Sequence, residues 1–425
     1  MKVCVIGAGA SGVVTAKVLL QEGVDVVVFE QRNEFGGLWN AKYPKDGDFA
    51  EDDSLISPMY EGLITNIPVS TMAYNDAPFP PGPVFQDRVS VLKYLRSYSE
   101  GVRPHVRFAH KVTHLEKKHK IWEVKVMSLL TKETSSYTFN AVAVCQGYFQ
   151  IPFVPNYPGL DEWSKTRPAI HSKYFDKPND YQGKRVLVIG NQASGIDISS
   201  LIAQYSKSSV LLSGRTPSKF ALPKSNVQER PAVAAFHPSS STVEFVDGQV
   251  EVVDNVLFCT GYLKHFPYGE QFMNGEDPII TDGLRFHSIY KHVFYRPDPS
   301  LAFVGLCKWI VPFITSESQA CFLAAVWTGR VSLPSREEMK KWEEETVAQK
   351  GDGKAFHDLE HPLNAHYCED IWKIVSQAGL VHQPVKWDTH RSTIREKMAT
   401  IRRQFTSLKG EGIVCTNVDQ LLEQV

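Results

Sequence analysis

Apolar and polar residues follow one another along this chain in patterns that separate buried strands, half-buried strands and surface helices. Short, mainly apolar runs at residues 3–6, 24–29, 141–145, 186–189, 209–213 and 256–259 predict strands buried on both faces. Residues 1–40 read as strand, helix, strand. Trp122, Val124 and Val126 alternate with Glu123 and Lys125, the clearest piece of an antiparallel arrangement across 106–126. A short helix is predicted over 92–98 and a hairpin over 242–248. Irregular stretches lie between: a polar, acidic surface loop at 41–60, a Pro- and Asn-rich segment at 61–83, and a linker at 151–159 with Pro152, Pro155 and Pro158. The last ~90 residues predict charged helices, with 336–350 a solvated helix face. No internal repeat or low-complexity stretch is evident.

Two of the buried runs end alike. Val5-Ile6 leads into Gly7-Ala8-Gly9-Ala10-Ser11-Gly12, and Val188-Ile189 into Gly190-Asn191-Gln192-Ala193-Ser194-Gly195. In such a strand–turn–helix the first glycine makes the bend. The second lets the backbone approach a pyrophosphate, and the third lets helix pack on strand. The helix N-terminus then offers free N–H groups to the phosphates. The second copy has Gln192 for the middle glycine and keeps the other two. After the first copy, the next strand closes on Glu30, 18 residues beyond Gly12. A carboxylate there accepts from a ribose diol and repels a 2′-phosphate. After the second copy the strand ends at Ser213, and Arg215 stands 20 residues beyond Gly195. A guanidinium suits a 2′-phosphate. The first site therefore reads as FAD and the second as NADPH. The predicted fold class is α/β with two Rossmann-like dinucleotide-binding domains. Residues 1–160 and 268–425 form the FAD-binding domain, and the NADPH-binding domain, 161–267, is inserted in it. The strand-stops Cys145-Gln146-Gly147 and Cys259-Thr260-Gly261-Tyr262 mark crossings between domains.

A chain of 425 residues can hold two or three domains with large cores. Lys and Arg total 46 against 47 Asp and Glu, a formal net charge of −1, which gives no ground for a nucleic-acid partner or an anionic membrane surface. The seven cysteines are widely spaced without a C-x-x-C, so reduced thiols and a cytoplasmic protein are expected. A strand from residue 3 leaves no room for a signal peptide, and no apolar run is long enough for a membrane anchor. A homodimer is left open.

The chain resembles the flavin-containing monooxygenases from about residue 3 to about residue 330. The resemblance rests on segments in order. The first fingerprint with Glu30 is followed by Gly36-Gly37-Leu38-Trp39, then Tyr60-Glu61-Gly62-Leu63-Ile64-Thr65-Asn66-Ile67-Pro68, Met72 and Pro78-Phe79-Pro80. Then come His171-Ser172, the second fingerprint with Arg215, Phe258-Cys259-Thr260-Gly261-Tyr262, and Glu317-Ser318-Gln319-Ala320. The family signature F-x-G, three residues, H, three residues, Y or F is only half kept. His171 and Phe175 fit its second half, while Trp163-Ser164-Lys165 lacks the glycine and stands two residues too far off. The related Baeyer–Villiger enzymes have Trp where Phe175 stands. For His171 a structural and a functional reading both stay open.

The resemblance implies that NADPH gives hydride to the flavin, that O₂ adds at C4a, and that the hydroperoxide passes one oxygen to a soft nucleophile. The acceptor would be an amine or indole nitrogen, or a sulfur, of a small molecule. No catalytic triad and no metal is needed, but water must be kept out. The catalytic residue implied is Asn66, whose amide would face the flavin edge and bound NADP⁺. The cofactor-binding residues implied are Gly7, Gly9, Ser11, Gly12, Glu30, Gln31, Gly37, Leu38, Trp39, Thr65, Asn66, Val112, Gln146, Gly147, Gly190, Asn191, Ser194, Gly195, Ser213, Arg215, Thr260, Gly261 and Gln319. Alternatives are a Baeyer–Villiger or N-hydroxylating monooxygenase, an FAD-dependent NADPH oxidase or reductase, and a non-catalytic redox sensor. A disulfide reductase would need a paired redox cysteine motif, which is missing. Loop 41–58, insert 217–237 and the C-terminal helices all qualify as pocket lining, and the sequence does not choose among them.

Overall fold

The computed structural model describes residues 1–41, 53–206, 208–218 and 226–422. The chain forms two compact units. One comprises Met1–Asn40, Thr65–Tyr148 and Lys264–Val425, the other Ala41–Ile64 and Phe149–Leu263. Residues 41–64, read from sequence into the FAD domain, thus cluster with the second unit. Among their ties there, the Tyr60 hydroxyl donates to Asp197 at 2.6 Å and its ring meets Phe175 at 5.3 Å, and the Lys173 ammonium donates to Asp53 at 2.6 Å.

In the first unit the sheet order is Ile289–Tyr290, Phe294–Tyr295, Leu301–Phe303, Ala141–Val144, Lys2–Ile6, Asp25–Phe29, Val106–Arg107. The last five strands run parallel. Successive side chains point to opposite faces, so both faces are apolar. Val3, Val5, Val26 and Val28 pack with Val14 and Val18 of the helix Ala10–Gln21. Cys4, Ile6, Phe29 and Val144 pack on the other side with Val112, Trp122 and Val124 of an antiparallel sheet. That sheet is His110–Lys118, Ile121–Ser128 and Thr134–Phe139. Its third strand is absent from the sequence reading because Thr134, Ser135 and Ser136 are polar and exposed.

The second unit repeats this plan. Its parallel sheet runs Val227–Arg230, Val210–Ser213, Val186–Ile189, Asn255–Phe258, Ala169–His171. Val186, Val188 and Leu212 face Ile198 and Ile202 of the helix Ala193–Ala203, and Leu187, Ile189 and Phe258 face the antiparallel strands Val233–His237 and Thr242–Phe245, to which Val250–Val252 adds a third. A structural repeat is therefore present that residue identities conceal. Within the expected linker, Ile151–Pro152 pairs antiparallel with Tyr262–Leu263.

The helix predicted at 92–98 is Arg88–Ser99, started by the Asp87 side chain accepting from the Ser90 N–H at 2.8 Å. Segment 61–83 is irregular apart from the helix Val69–Met72. The charged C-terminal stretch contains the helices Arg336–Lys350, Leu363–Val375, Thr389–Glu396 and Met398–Gly410. The first of these is not simply solvated. Glu343 is buried, pairs with Arg285 at 2.9 Å and accepts from the Ser288 N–H at 2.8 Å.

Candidate functional site: two glycine cradles and the Asn66 turn

The first cradle follows the strand Lys2–Ile6. Gly7 has φ +100°, and a Cβ there would lie 2.8 Å from the Cys145 carbonyl oxygen. A Cβ on Gly12 would lie 1.8 Å from the Gly7 carbonyl oxygen. One on Gly37 would lie 2.9 Å from the Gly9 Cα. Gly7, Gly12 and Gly37 thus bring three backbone segments closer than a side chain at those positions permits. Gly9 caps the helix Ala10–Gln21 without a side-chain bond, so the helix start is open to a phosphate. Buried Glu30 accepts from the Ala8 N–H at 2.6 Å and the Arg32 N–H at 2.8 Å. Burial pushes its carboxyl up, opposed by those N–H groups and the Arg32 charge. Ser11 meets Ser316 at 2.9 Å. Leu38 and Trp39 lie half-buried in the turn Gly37–Trp39, and Gln31 is half-buried beside Glu30. These residues fit the diphosphate and ribose of a dinucleotide.

Other predicted residues in this unit hold loops together. Gln319 is fully buried in the helix Pro312–Trp327. Its Oε1 accepts from the Gly305 N–H and its Nε2 donates to the Tyr367 hydroxyl, both at 2.9 Å. Its amide is thus occupied in fixing Gly305, where a Cβ would come 2.6 Å from Ser11 Oγ. Gly305 is absent from the sequence prediction, although it too follows a buried strand, Leu301–Phe303. Gln146 donates to the His265 carbonyl at 2.5 Å, Gly147 has φ +72°, and the Val112 side chain packs into the core. Thr65 is buried. Its N–H donates to the Gln86 carbonyl at 2.8 Å and its hydroxyl accepts from the Gln86 N–H at 3.2 Å. Asn66 is exposed, and among the described residues nothing bonds its amide. A tightly held turn thus presents a free amide.

The second cradle copies the first. Gly190 has φ +108°, and a Cβ there would lie 2.4 Å from the Cys259 carbonyl oxygen. A Cβ on Gly195 would lie 1.7 Å from the Gly190 carbonyl oxygen. Gln192, in place of the middle glycine, is exposed with extended backbone (φ −90°), so a side chain is accommodated there. Asn191 is buried and donates to the Thr216 carbonyl at 2.6 Å; Ser194 is exposed at the helix start. Ser213 is buried, its hydroxyl donating to the Pro231 carbonyl at 2.7 Å. Arg215 is exposed just past that strand. Thr260 donates to the Phe153 carbonyl, and Gly261 has φ +81°.

Comparison with known proteins decides the family. A model described as "Flavin-binding monooxygenase-like" matches residues 1–224 and 217–380. The flavin-containing monooxygenase FMO GS-OX1 of Arabidopsis thaliana is 35% identical over 356 residues, 79% of this chain and 76% of the relative. The chain belongs to the flavin-containing monooxygenase family. Among solved structures, the S-allyl-L-cysteine S-oxygenase of Allium sativum matches with a TM-score of 0.82 at 28% identity, covering 100% of this chain and 97% of that one. Tmm from Pelagibacter sp. strain HTCC7211 shares the fold, with a TM-score of 0.79 at 24% identity over 95% and 90% of the two chains. The cofactors of this flavin monooxygenase are FAD and NADPH. No described helix is long and apolar enough to cross a membrane.

All seven cysteines of the monooxygenase are buried and unpaired. Burial pushes the thiols of Cys145, Cys259 and Cys307 up to about 12, the opposite of a reactive redox thiol. Arg215→Ala is expected to lower the preference for NADPH over NADH about tenfold or more, as kcat/KM for flavin reduction. An unchanged ratio refutes its assignment.

Both ring nitrogens of His171 are engaged by backbone groups. Its Nδ1 accepts from the Lys173 N–H at 3.1 Å, so its Nε2 donates to the Gly261 carbonyl at 2.9 Å. Burial pushes its pKa down to about 4. His357 accepts the Phe286 N–H at 3.1 Å, so its other nitrogen donates to His292 at 3.0 Å, and burial pushes His292 down to about 3. These rings are neutral when folded and free to charge when unfolded. Their contribution is whole above about pH 6.5 and is lost as pH falls toward 4. The melting temperature is expected to drop by roughly 5 °C or more from pH 6.5 to 4.5. The drop should be smaller in His171→Gln; equal drops would remove His171 from this account.

Proposed function

We propose that this protein is an NADPH-dependent monooxygenase that transfers one oxygen atom of O₂ to the sulfur of a small thioether. The reaction consumes one NADPH, one proton and one O₂, and yields NADP⁺, water and the sulfoxide. Bound FAD supplies the redox chemistry, accepting hydride and activating O₂. The chain's own part is to bind and to shield. Gly7, Gly9, Gly12 and Glu30 hold FAD, and Gly190, Gly195 and Arg215 hold NADPH. Asn66 offers an amide that donates and accepts without changing charge.

The observation that carries the reading is the whole-chain likeness to an S-allyl-L-cysteine S-oxygenase. Phe175, buried between Tyr60 and Tyr181, favours this over Baeyer–Villiger chemistry by the resemblance. The test presents the FAD-loaded enzyme with NADPH and equal amounts of an alkyl aryl sulfide, an S-alkyl cysteine and a tertiary amine. Sulfoxide formed in step with NADPH consumed is expected. N-oxide as the main product would replace sulfur by nitrogen as acceptor, and peroxide alone would overturn the proposal.

A further inference from the structure

Two arginines near the C-terminal end reach back to loops of the FAD-binding unit. Arg395, in the helix Thr389–Glu396, donates to the Trp309 carbonyl at 3.2 Å. Trp309 has φ +60°, a left-handed conformation that a bulky residue keeps only when its surroundings impose it. Arg402, in the helix Met398–Gly410, donates to the Thr65 carbonyl. Its guanidinium lies over the Phe85 ring, 5.1 Å from the centroid, and Phe405 meets that ring edge-on at 4.8 Å. The Val84 N–H donates to the Cys415 carbonyl at 2.9 Å. Residues 65–69 and 84–86 are themselves tied together by Thr65 N–H to Gln86 carbonyl and Val69 N–H to Val84 carbonyl, at 2.8 and 2.9 Å. The C-terminal segment therefore grips both sides of one loop. The family match ends at residue 380, so these helices lie beyond what the family pattern describes.

We infer that the helices of 389–410 position the flavin-site loops, with Arg402 as the residue that fixes the peptide plane from which the Asn66 side chain projects; this rests on the role proposed for Asn66. The Thr65 carbonyl and the Asn66 N–H belong to one rigid peptide plane. A charge-assisted bond to that carbonyl fixes the plane, and with it the start of the Asn66 side chain. Asn66 makes no side-chain bond of its own among the described residues, so the hold on it comes through the backbone that carries it.

The test compares FAD-loaded parent, Arg402→Met, Arg402→Lys and Asn66→Ala. In Arg402→Met, flavin reduction by NADPH should stay within about twofold of the parent, while the share of NADPH electrons released as H₂O₂ rises at least about threefold. Hydrogen exchange of the 65–86 peptides should quicken on the order of tenfold. Arg402→Lys, which keeps a cationic donor, should recover part of both effects. A purely structural role would lower the melting temperature and leave the peroxide share unchanged. That result, or unchanged exchange at 65–86, overturns the inference. Should Arg402→Met fail to fold, Arg402→Gln is judged by the same two readouts. If Asn66→Ala raises the peroxide share and Arg402→Met does not, this inference alone falls. If Asn66→Ala has no effect, the proposed role of Asn66 falls with it.

Discussion

Gly12→Ala is expected to give protein nearly devoid of flavin colour. The added Cβ would stand 1.8 Å from the Gly7 carbonyl oxygen, far inside contact distance. The helix cannot slide away, because Val13, Val14, Ala16, Val18 and Leu19 are all buried on it. The turn must therefore open, and the N–H groups that face the diphosphate lose their aim. FAD affinity should fall at least about tenfold, equivalent to ~1.4 kcal/mol, read as flavin absorbance per protein after dialysis. Gly195→Ala is the matching change in the second unit, where the same collision comes at 1.7 Å. It should stay yellow, be bleached by dithionite, and no longer be reduced by NADPH at ordinary concentrations. Gly12→Ala with full FAD would refute the first cradle. Loss of FAD, not NADPH, from Gly195→Ala would exchange the two assignments.

Asn66→Ala is expected to oxidise NADPH at near the parent's rate while delivering most of its electrons as H₂O₂. The change removes only an exposed amide from a turn that Thr65 and Gln86 hold in place, so fold and FAD content should be preserved. It also removes a donor and acceptor whose loss would admit water where oxygen is handled. The peroxide share should rise from a minor to the major part of the NADPH consumed, roughly a tenfold change in product partition, or ~1.4 kcal/mol. Product still formed in step with NADPH would show that Asn66 has no such role.

The residues that were legible in the sequence are those on which physics leaves little choice. Strands such as 3–6 and 186–189, buried on both faces, must be apolar throughout and cannot pass for surface. Gly7, Gly12, Gly190 and Gly195 are forced by collisions with backbone atoms, and Glu30 by its buried place at the strand end. What escaped depends on long-range contact. Thr134–Phe139 looks like a polar loop until paired with Ile121–Ser128. Glu343 looks solvated until Arg285 covers it. Arg402 lies 337 residues from the carbonyl it holds, and no local pattern announces that bond. Gln319 stands among the expected cofactor-binding residues, and its bonds to Gly305 and Tyr367 are not visible in the local sequence. Of the three segments weighed as pocket lining, residues 42–52 and 219–225 lie outside the described residues, and the C-terminal helices hold the Asn66 and Trp309 loops.

The most direct test of the central claim is a reaction of the FAD-loaded enzyme with NADPH, a thioether and ¹⁸O₂ in ordinary water, with the product weighed by mass spectrometry. A sulfoxide carrying one ¹⁸O, formed one for one with NADPH oxidised, is the expected result. Unlabelled sulfoxide, or NADPH oxidation that ends only in peroxide with every acceptor tried, would contradict it.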